Sequence, residues 1–229
     1  MTPEMAFECL VVTSDPAVFG TMEGILRDFA IATKVCAYPS RAANLLAEGS
    51  TDLIVIDLEA EESSEFLRQV AAHTRRKPTV VGVSRADSAV PGVHVLLRKP
   101  VTHESGVMSL KAAYSRMLRD YRKHTRFAVM AKVTATDDEQ RSLPITVTNI
   151  GAGGVGVTSI ETLQVGGILS FRMRLPELEN EISIQARVLW TRPYGAAGCE
   201  FVQVPPFDMH LLHAWLESRY RIKKPLIAD

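Results

Sequence analysis

The periodicity of this chain changes once along its length, and that change limits what it can fold into. Up to about residue 100, short apolar runs alternate with stretches of helical spacing. Beyond Arg126 the helical spacing disappears until the last stretch, and apolar and polar residues alternate instead. A chain of 229 residues exceeds one typical domain, so with this change of pattern two domains of different class are expected. In the first, Phe7–Val12, Thr33–Tyr38, Leu53–Ile56, Thr79–Val83 and Val93–Leu97 read as strands. Helical spacing lies between most of them, with Asp15 as N-cap before Pro16, Ser40–Glu48 closed by Gly49, and Glu62–His73. Strands alternating with helices predict a doubly wound α/β domain with a parallel sheet of five strands. Only nine residues separate Val83 from Val93, too few for a full helix with its connections.

The second half reads as β structure. Phe127–Thr134, Pro144–Ile150, Gly154–Thr158 (resuming the strand before it), Ile168–Leu175, Ile182–Trp190 and Gly195–Val204 are closely spaced strands with polar turns. They predict a small antiparallel six-stranded barrel. The apolar stripe Phe207, Leu211, Leu212, Trp215, Leu216 and Tyr220 predicts a C-terminal helix that caps it, with Trp190 and Trp215 as core residues. Between the halves, residues 104–126 carry no turn signal and read as one helix. Val107, Leu110, Tyr114, Met117 and Tyr121 form a seam on it, whose later part predicts a partner, either the second domain or a second copy in a homodimer. The expected boundaries are 1–118 and 119–229.

Composition narrows the function. The chain has 229 residues, 46% hydrophobic and 23% charged, enough apolar mass for two cores. Its 26 basic and 26 acidic residues balance, which argues against bulk nucleic-acid binding. Cys9, Cys36 and Cys199 are odd in number and scattered through apolar runs, as buried thiols of a reducing cytoplasm are. No apolar run is long enough to cross a bilayer, so no membrane association is expected. His210 and His213 have no third ligand placed to complete a metal site, and no nucleophile–base pair stands out, so neither metal nor catalysis is expected.

The residues that carry chemistry flank the junction. Arg122 and Arg126 are two guanidinium groups four residues apart, each able to fork onto a phosphate or the O6/N7 edge of a guanine. Asn149 opens a glycine turn, Gly151-Ala152-Gly153-Gly154, where a carboxamide can meet a purine edge and backbone can approach a ligand. Together they describe a clamp for a small anion bearing guanine and phosphate. Residues 151–156 also satisfy G-x-G-x-x-G, but strands rather than a helix follow, so a dinucleotide fold is not expected.

These motifs resemble those of the PilZ family, bacterial receptors of cyclic di-GMP, over roughly Tyr121 to Tyr220. The family carries R-x-x-x-R followed by [D/N]-x-S-x-x-G on the first strands of a small barrel. Arg122, Arg126, Asn149 and Gly154 match, and Gly151 stands where serine is usual. The resemblance implies a non-enzymatic receptor whose ligand is cyclic di-GMP, held by Arg122, Arg126, Asn149, Gly151 and Gly154. The arginine loop, disordered when empty, would close over the ligand and reorient the domains for an unknown downstream protein. An adaptor that binds no nucleotide is the alternative.

The first half resembles the receiver domain of response regulators, a flavodoxin-like fold. Asp57 stands where that family keeps its phosphoacceptor, Ser84 at the switch position and Lys99-Pro100 at the conserved lysine. Thr13 and Ser14 replace the acidic pair that holds Mg²⁺. The resemblance therefore implies a pseudo-receiver in which Asp57 and Lys99 are a relic ion pair, against the alternative of a regulator driven by phosphorylation of Asp57.

Overall fold

The computed structural model describes residues 6–48, 51–73, 77–220 and 222. Gly49, expected to close the second helix, lies outside the described residues. The chain divides into two compact units, one taking in Met1–Arg119 and the other Asp120–Tyr220.

The first unit alternates strands and helices: β1 (Glu8–Val12), α1 (Pro16–Asp28), β2 (Ala32–Cys36), α2 (Pro39–Glu48), β3 (Leu53–Asp57), α3 (Ser63–His73), β4 (Thr79–Ser84), β5 (Val95–Arg98) and the start of α4 (His103–His124). The strands are parallel in the order β2-β1-β3-β4-β5, the flavodoxin-like order. Every residue of β3 and β4 is buried, which is why both read as unbroken apolar runs. Asp15 accepts from the N–H groups of Ala17 and Val18 and so starts α1, with Pro16 inside its first turn.

No helix forms between β4 and β5. Val93 packs over Gly82, and the His94 ring accepts the N–H of Val80, delaying β5 to Val95. α4 buries Leu110, Ala113, Tyr114 and Met117, with the Tyr114 ring between Phe7 and Phe29. The later part of the seam, for which either the second domain or a second copy was the expected partner, finds contacts within the chain. Met117 is buried, and Tyr121 packs edge-on against Tyr220.

The second unit is a closed antiparallel barrel in the order β10-β11-β8-β7-β6-β9. Its strands are β6 (Arg126–Thr136), β7 (Ser142–Gly151), β8 (Gly154–Ser159), β9 (Ile168–Arg174), β10 (Glu181–Thr191) and β11 (Ala196–Gln203). The helix α5 (Pro206–Glu217) follows. Alternate residues of β10 (Ile182, Ile184, Ala186, Val188) point inward, as their spacing demands.

Two expectations change here. Gly154–Thr158 does not resume β7: Ile150 pairs with Val155 and Gly151 with Gly154, so the chain reverses at Ala152-Gly153 into a hairpin. Trp190 is not a core residue. The pairing of β10 with β11 shifts register between Val188 and Trp190, which turns the indole outward and leaves it 45% exposed. Trp215 is buried as expected, with its indole N–H donating to the Pro176 carbonyl at 2.8 Å.

Candidate functional site

Barrel register assembles a site that the linear motifs only hint at. One row across the sheet runs Arg126–Gly151–Gly154–Glu200–Arg187 through β6, β7, β8, β11 and β10. The next runs Ala128–Asn149–Gly156–Gly198–Trp190 through the same strands. Four glycines therefore pave the middle of one outer face. Arg126 borders it on the β6 side, and Arg187 and Trp190 border it on the β10 side.

Each glycine has a steric reason. A Cβ on Gly156 would run into the Asn149 carboxamide, and one on Gly198 into the Trp190 indole, so both side chains lie flat over glycine. A Cβ on Gly154 would strike the Cys199 carbonyl. The close approach that Gly154 permits is thus that of β8 to β11. Asn149 donates from Nδ2 to Thr148 Oγ1 at 3.3 Å, and no described residue donates to its Oδ1. An acceptor for a base N–H is available there. The Arg192 guanidinium lies 5.0 Å from the centre of the Trp190 ring, placing a second cation beside an exposed aromatic surface.

The two motif arginines do not sit in a free loop. The helix expected to reach Arg126 ends at His124, where the N–H and Oγ1 of Thr125 both donate to the Tyr121 carbonyl, at 2.9 and 2.7 Å. Arg126 is already the first residue of β6, leaving Thr125 as the whole linker. Its Nη1 donates to the carbonyl oxygens of Lys123 and Thr125, at 3.2 and 3.4 Å. Arg122 lies in the last turn of α4, paired with Glu217 at 3.1 Å and set over the Tyr220 ring at 5.8 Å. An aromatic chain, Tyr121–Tyr220–Phe127–Trp215, runs beneath this arm with centroid separations of 5.7, 5.4 and 6.1 Å.

In the first unit, Asp57 ends β3 with its carboxylate 2.7 Å from Lys99 Nζ, which also meets Glu59 at 3.1 Å and Asp15 at 3.8 Å. Asp57 further accepts from Thr13 Oγ1 and the Glu59 N–H. Burial by itself pulls the Lys99 pKa down, but the bonds to Asp57 and Glu59 outweigh it and hold the ammonium above its ordinary value. The Arg85 N–H, then Lys99, hold the Glu59 carboxyl below the usual range. Ser84 Oγ accepts from the Ala86 N–H, so it serves its own turn. The structure thus joins Asp57 to Lys99 and leaves Ser84 out of that cluster. Among the described residues, no group of three or more His, Cys, Asp or Glu side chains could hold a metal ion. His210 and His213 are exposed on α5. The three cysteines are free and buried. No helix among the described residues is long and apolar enough to span a membrane.

Sequence reasoning missed Trp190, Arg187, Arg192, Gly156 and Gly198. The exposed position of Trp190 depends on a bulge, and the meeting of the four glycines depends on register, neither of which a single strand reveals.

A parallel five-stranded sheet in flavodoxin-like order is followed by a closed six-stranded barrel with arginines at its entry. Residues 120–218 match the family model of the PilZ domain, and the chain carries a PilZ domain there. It is similar to the Inhibitor of motility (MotI/DgrA) of Bacillus subtilis, with 23% identity over 43% of this chain and 50% of that one, at a TM-score of 0.36. The chain thus covers half the length of that protein. It is also similar to the chemotaxis response regulator CheY4 of Vibrio cholerae, with 17% identity over 48% of this chain and 99% of that one, at a TM-score of 0.44. The signal receiver domain of an HD domain-containing protein from Pseudomonas fluorescens shows 16% identity over 52% of this chain and 95% of that one, at a TM-score of 0.46. No curated protein matches the sequence.

Proposed function

We propose that the glycine-paved face of the barrel binds cyclic di-GMP and that the chain acts as a receptor for it. The observation that carries this reading is the register that sets Arg126, Asn149 and Trp190 around one glycine-paved outer face of the barrel. A cyclic dinucleotide offers two phosphates, two guanine edges and two π faces. Arg122 and Arg126 supply forked donors for phosphate or for guanine O6/N7. Asn149 supplies an amide for a base edge, and Trp190 with Arg192 a surface on which a guanine stacks. Gly151 supplies no hydroxyl where the family has serine. The missing hydrogen bond weakens binding by about 0.5–1.5 kcal/mol, which lowers affinity without abolishing it.

In this reading Arg122 leaves Glu217, Arg126 leaves the Lys123 and Thr125 carbonyls, and both turn onto the ligand. Arg122 belongs to the last turn of α4, the helix that continues from the receiver-like half. Closure of the arm is thereby coupled to the joint between the domains, and the altered joint is what a downstream protein reads. The receiver-like half serves as an interaction module, with Asp57 held by Lys99, in a protein of the cytoplasm.

Isothermal titration with cyclic di-GMP tests the proposal. The wild type is expected to bind, and Arg126→Ala and Arg122→Ala to bind at least tenfold more weakly. Flat traces from all three would favour the adaptor reading, for which the internally satisfied arginines and Gly151 already speak.

A further inference from the structure

We infer that Glu217 is a built-in competitor for the ligand site, occupying Arg122 until a phosphate displaces it; this rests on the nucleotide reading above. Glu217 is the last residue of α5, where the helix macrodipole disfavours a carboxylate, and the last turn of that helix holds no basic residue of its own. What stabilises it there is Arg122, distant in sequence, with Nη2 3.1 Å from Glu217 Oε2. The contact is framed by one residue. Tyr220 sets its ring under the guanidinium at 5.8 Å and donates its hydroxyl to the Arg122 carbonyl at 3.3 Å. The Tyr220 N–H is itself held by the Leu216 carbonyl at 3.2 Å, one residue before Glu217. Carboxylate and guanidinium are therefore presented to each other by the same short stretch of chain.

A carboxylate and a phosphate compete for the same fork of donors. The bound dianion would also lie near a carboxylate that had just lost its partner, so Glu217 opposes the ligand twice, by occupancy and by charge. The pair is about half exposed, with side-chain accessibilities of 46% and 52%, so it is weak enough to be exchanged. Its exchange also removes the counter-charge from the end of α5, which makes that end the part of the barrel that registers ligand.

Glu217→Gln keeps the shape and removes the charge. Titration with cyclic di-GMP is expected to show it binding about two- to fivefold tighter than wild type, the range set by exposed ion pairs. The control Glu179→Gln, an equal charge change on the turn between β9 and β10, is expected to leave affinity unchanged. In the unliganded protein, the Arg122 side-chain NMR resonance is expected to shift in Glu217→Gln and not in the control. A wild type that binds while Glu217→Gln binds no tighter overturns the competitor role alone. If neither binds, the nucleotide reading falls and takes the competitor role with it. Binding by Glu217→Gln alone supports both.

Discussion

Arg126 and Gly151 face each other across β6 and β7, and the arginine occupies the space that a side chain at position 151 would need. A Cβ there would meet the Arg126 guanidinium, and it would lie 2.5 Å from the Thr125 carbonyl, which is backbone and yields reluctantly. Gly151 is thus matched to the one-residue junction between α4 and β6. Restoring the family's serine, Gly151→Ser, is expected to destabilise the barrel by about 1–3 kcal/mol, the usual cost of forcing atoms into a filled site. It is not expected to tighten ligand binding. Urea denaturation and titration of the same variant check this, and unchanged stability with stronger binding would refute it.

Trp190 is expected to contribute to binding and little to folding. Its ring lies over Gly198 and under Arg192 on the outer face, 45% exposed. A base that takes the place of the Arg192 guanidinium on this ring gains about 1–3 kcal/mol of stacking, so Trp190→Ala should weaken cyclic di-GMP binding by roughly five- to 150-fold. The thermal midpoint should stay close to that of the wild type. A large fall in midpoint with intact affinity would return Trp190 to a structural role.

The Asp57–Lys99 pair makes an asymmetric stability prediction. Lys99→Met strands the buried Asp57 carboxylate and is expected to cost about 2 kcal/mol, between the values for exposed and buried pairs. Asp57→Asn should cost less, because Lys99 keeps Glu59 at 3.1 Å. The folded pKa of Lys99 is raised, so its stabilisation is complete below the unfolded lysine value of about 10.4 and is lost as pH rises through the folded value. Glu59 runs the other way. Its lowered pKa adds stability above the unfolded glutamate value of about 4.3, lost as pH falls through the folded one. Denaturation of wild type and Lys99→Met from pH 7 to 11 should show the gap closing only at the alkaline end.

Acetyl phosphate with Mg²⁺ is expected to leave the intact mass unchanged. Lys99 already neutralises Asp57, and the neighbour that reaches Asp57 from the end of β1 is the Thr13 hydroxyl, not a carboxylate that could help hold Mg²⁺. A phosphoryl adduct that disappears in Asp57→Asn would make the first half a working receiver.

The Cys9 and Cys199 thiols should be inert in the native state. Burial pushes the Cys199 thiol up to about 11 and Cys9 higher still, so little thiolate exists near neutral pH. Iodoacetamide at pH 7.5 is expected to label neither without denaturant. Rapid native labelling of Cys199 would mean that β11 opens readily.

Much of this protein was legible in one dimension. Unbroken apolar strands at β3 and β4, the N-cap at Asp15 and the period-two run of β10 are local consequences of burial and backbone geometry. They sufficed for a five-stranded α/β unit and a six-stranded barrel. Arg122, Arg126 and Asn149 could be named as candidates in one dimension, because their residue types and order are distinctive, and their joint role as a site is part of the proposal. The outward turn of Trp190, the meeting of Gly151, Gly154, Gly156 and Gly198, and the grip of Glu217 on Arg122 depend on which strand lies beside which and on where a bulge falls. Those relations join residues as much as 95 positions apart. They are settled only when the whole core packs, because pairing register is selected by the burial of both strands together and by neither strand alone.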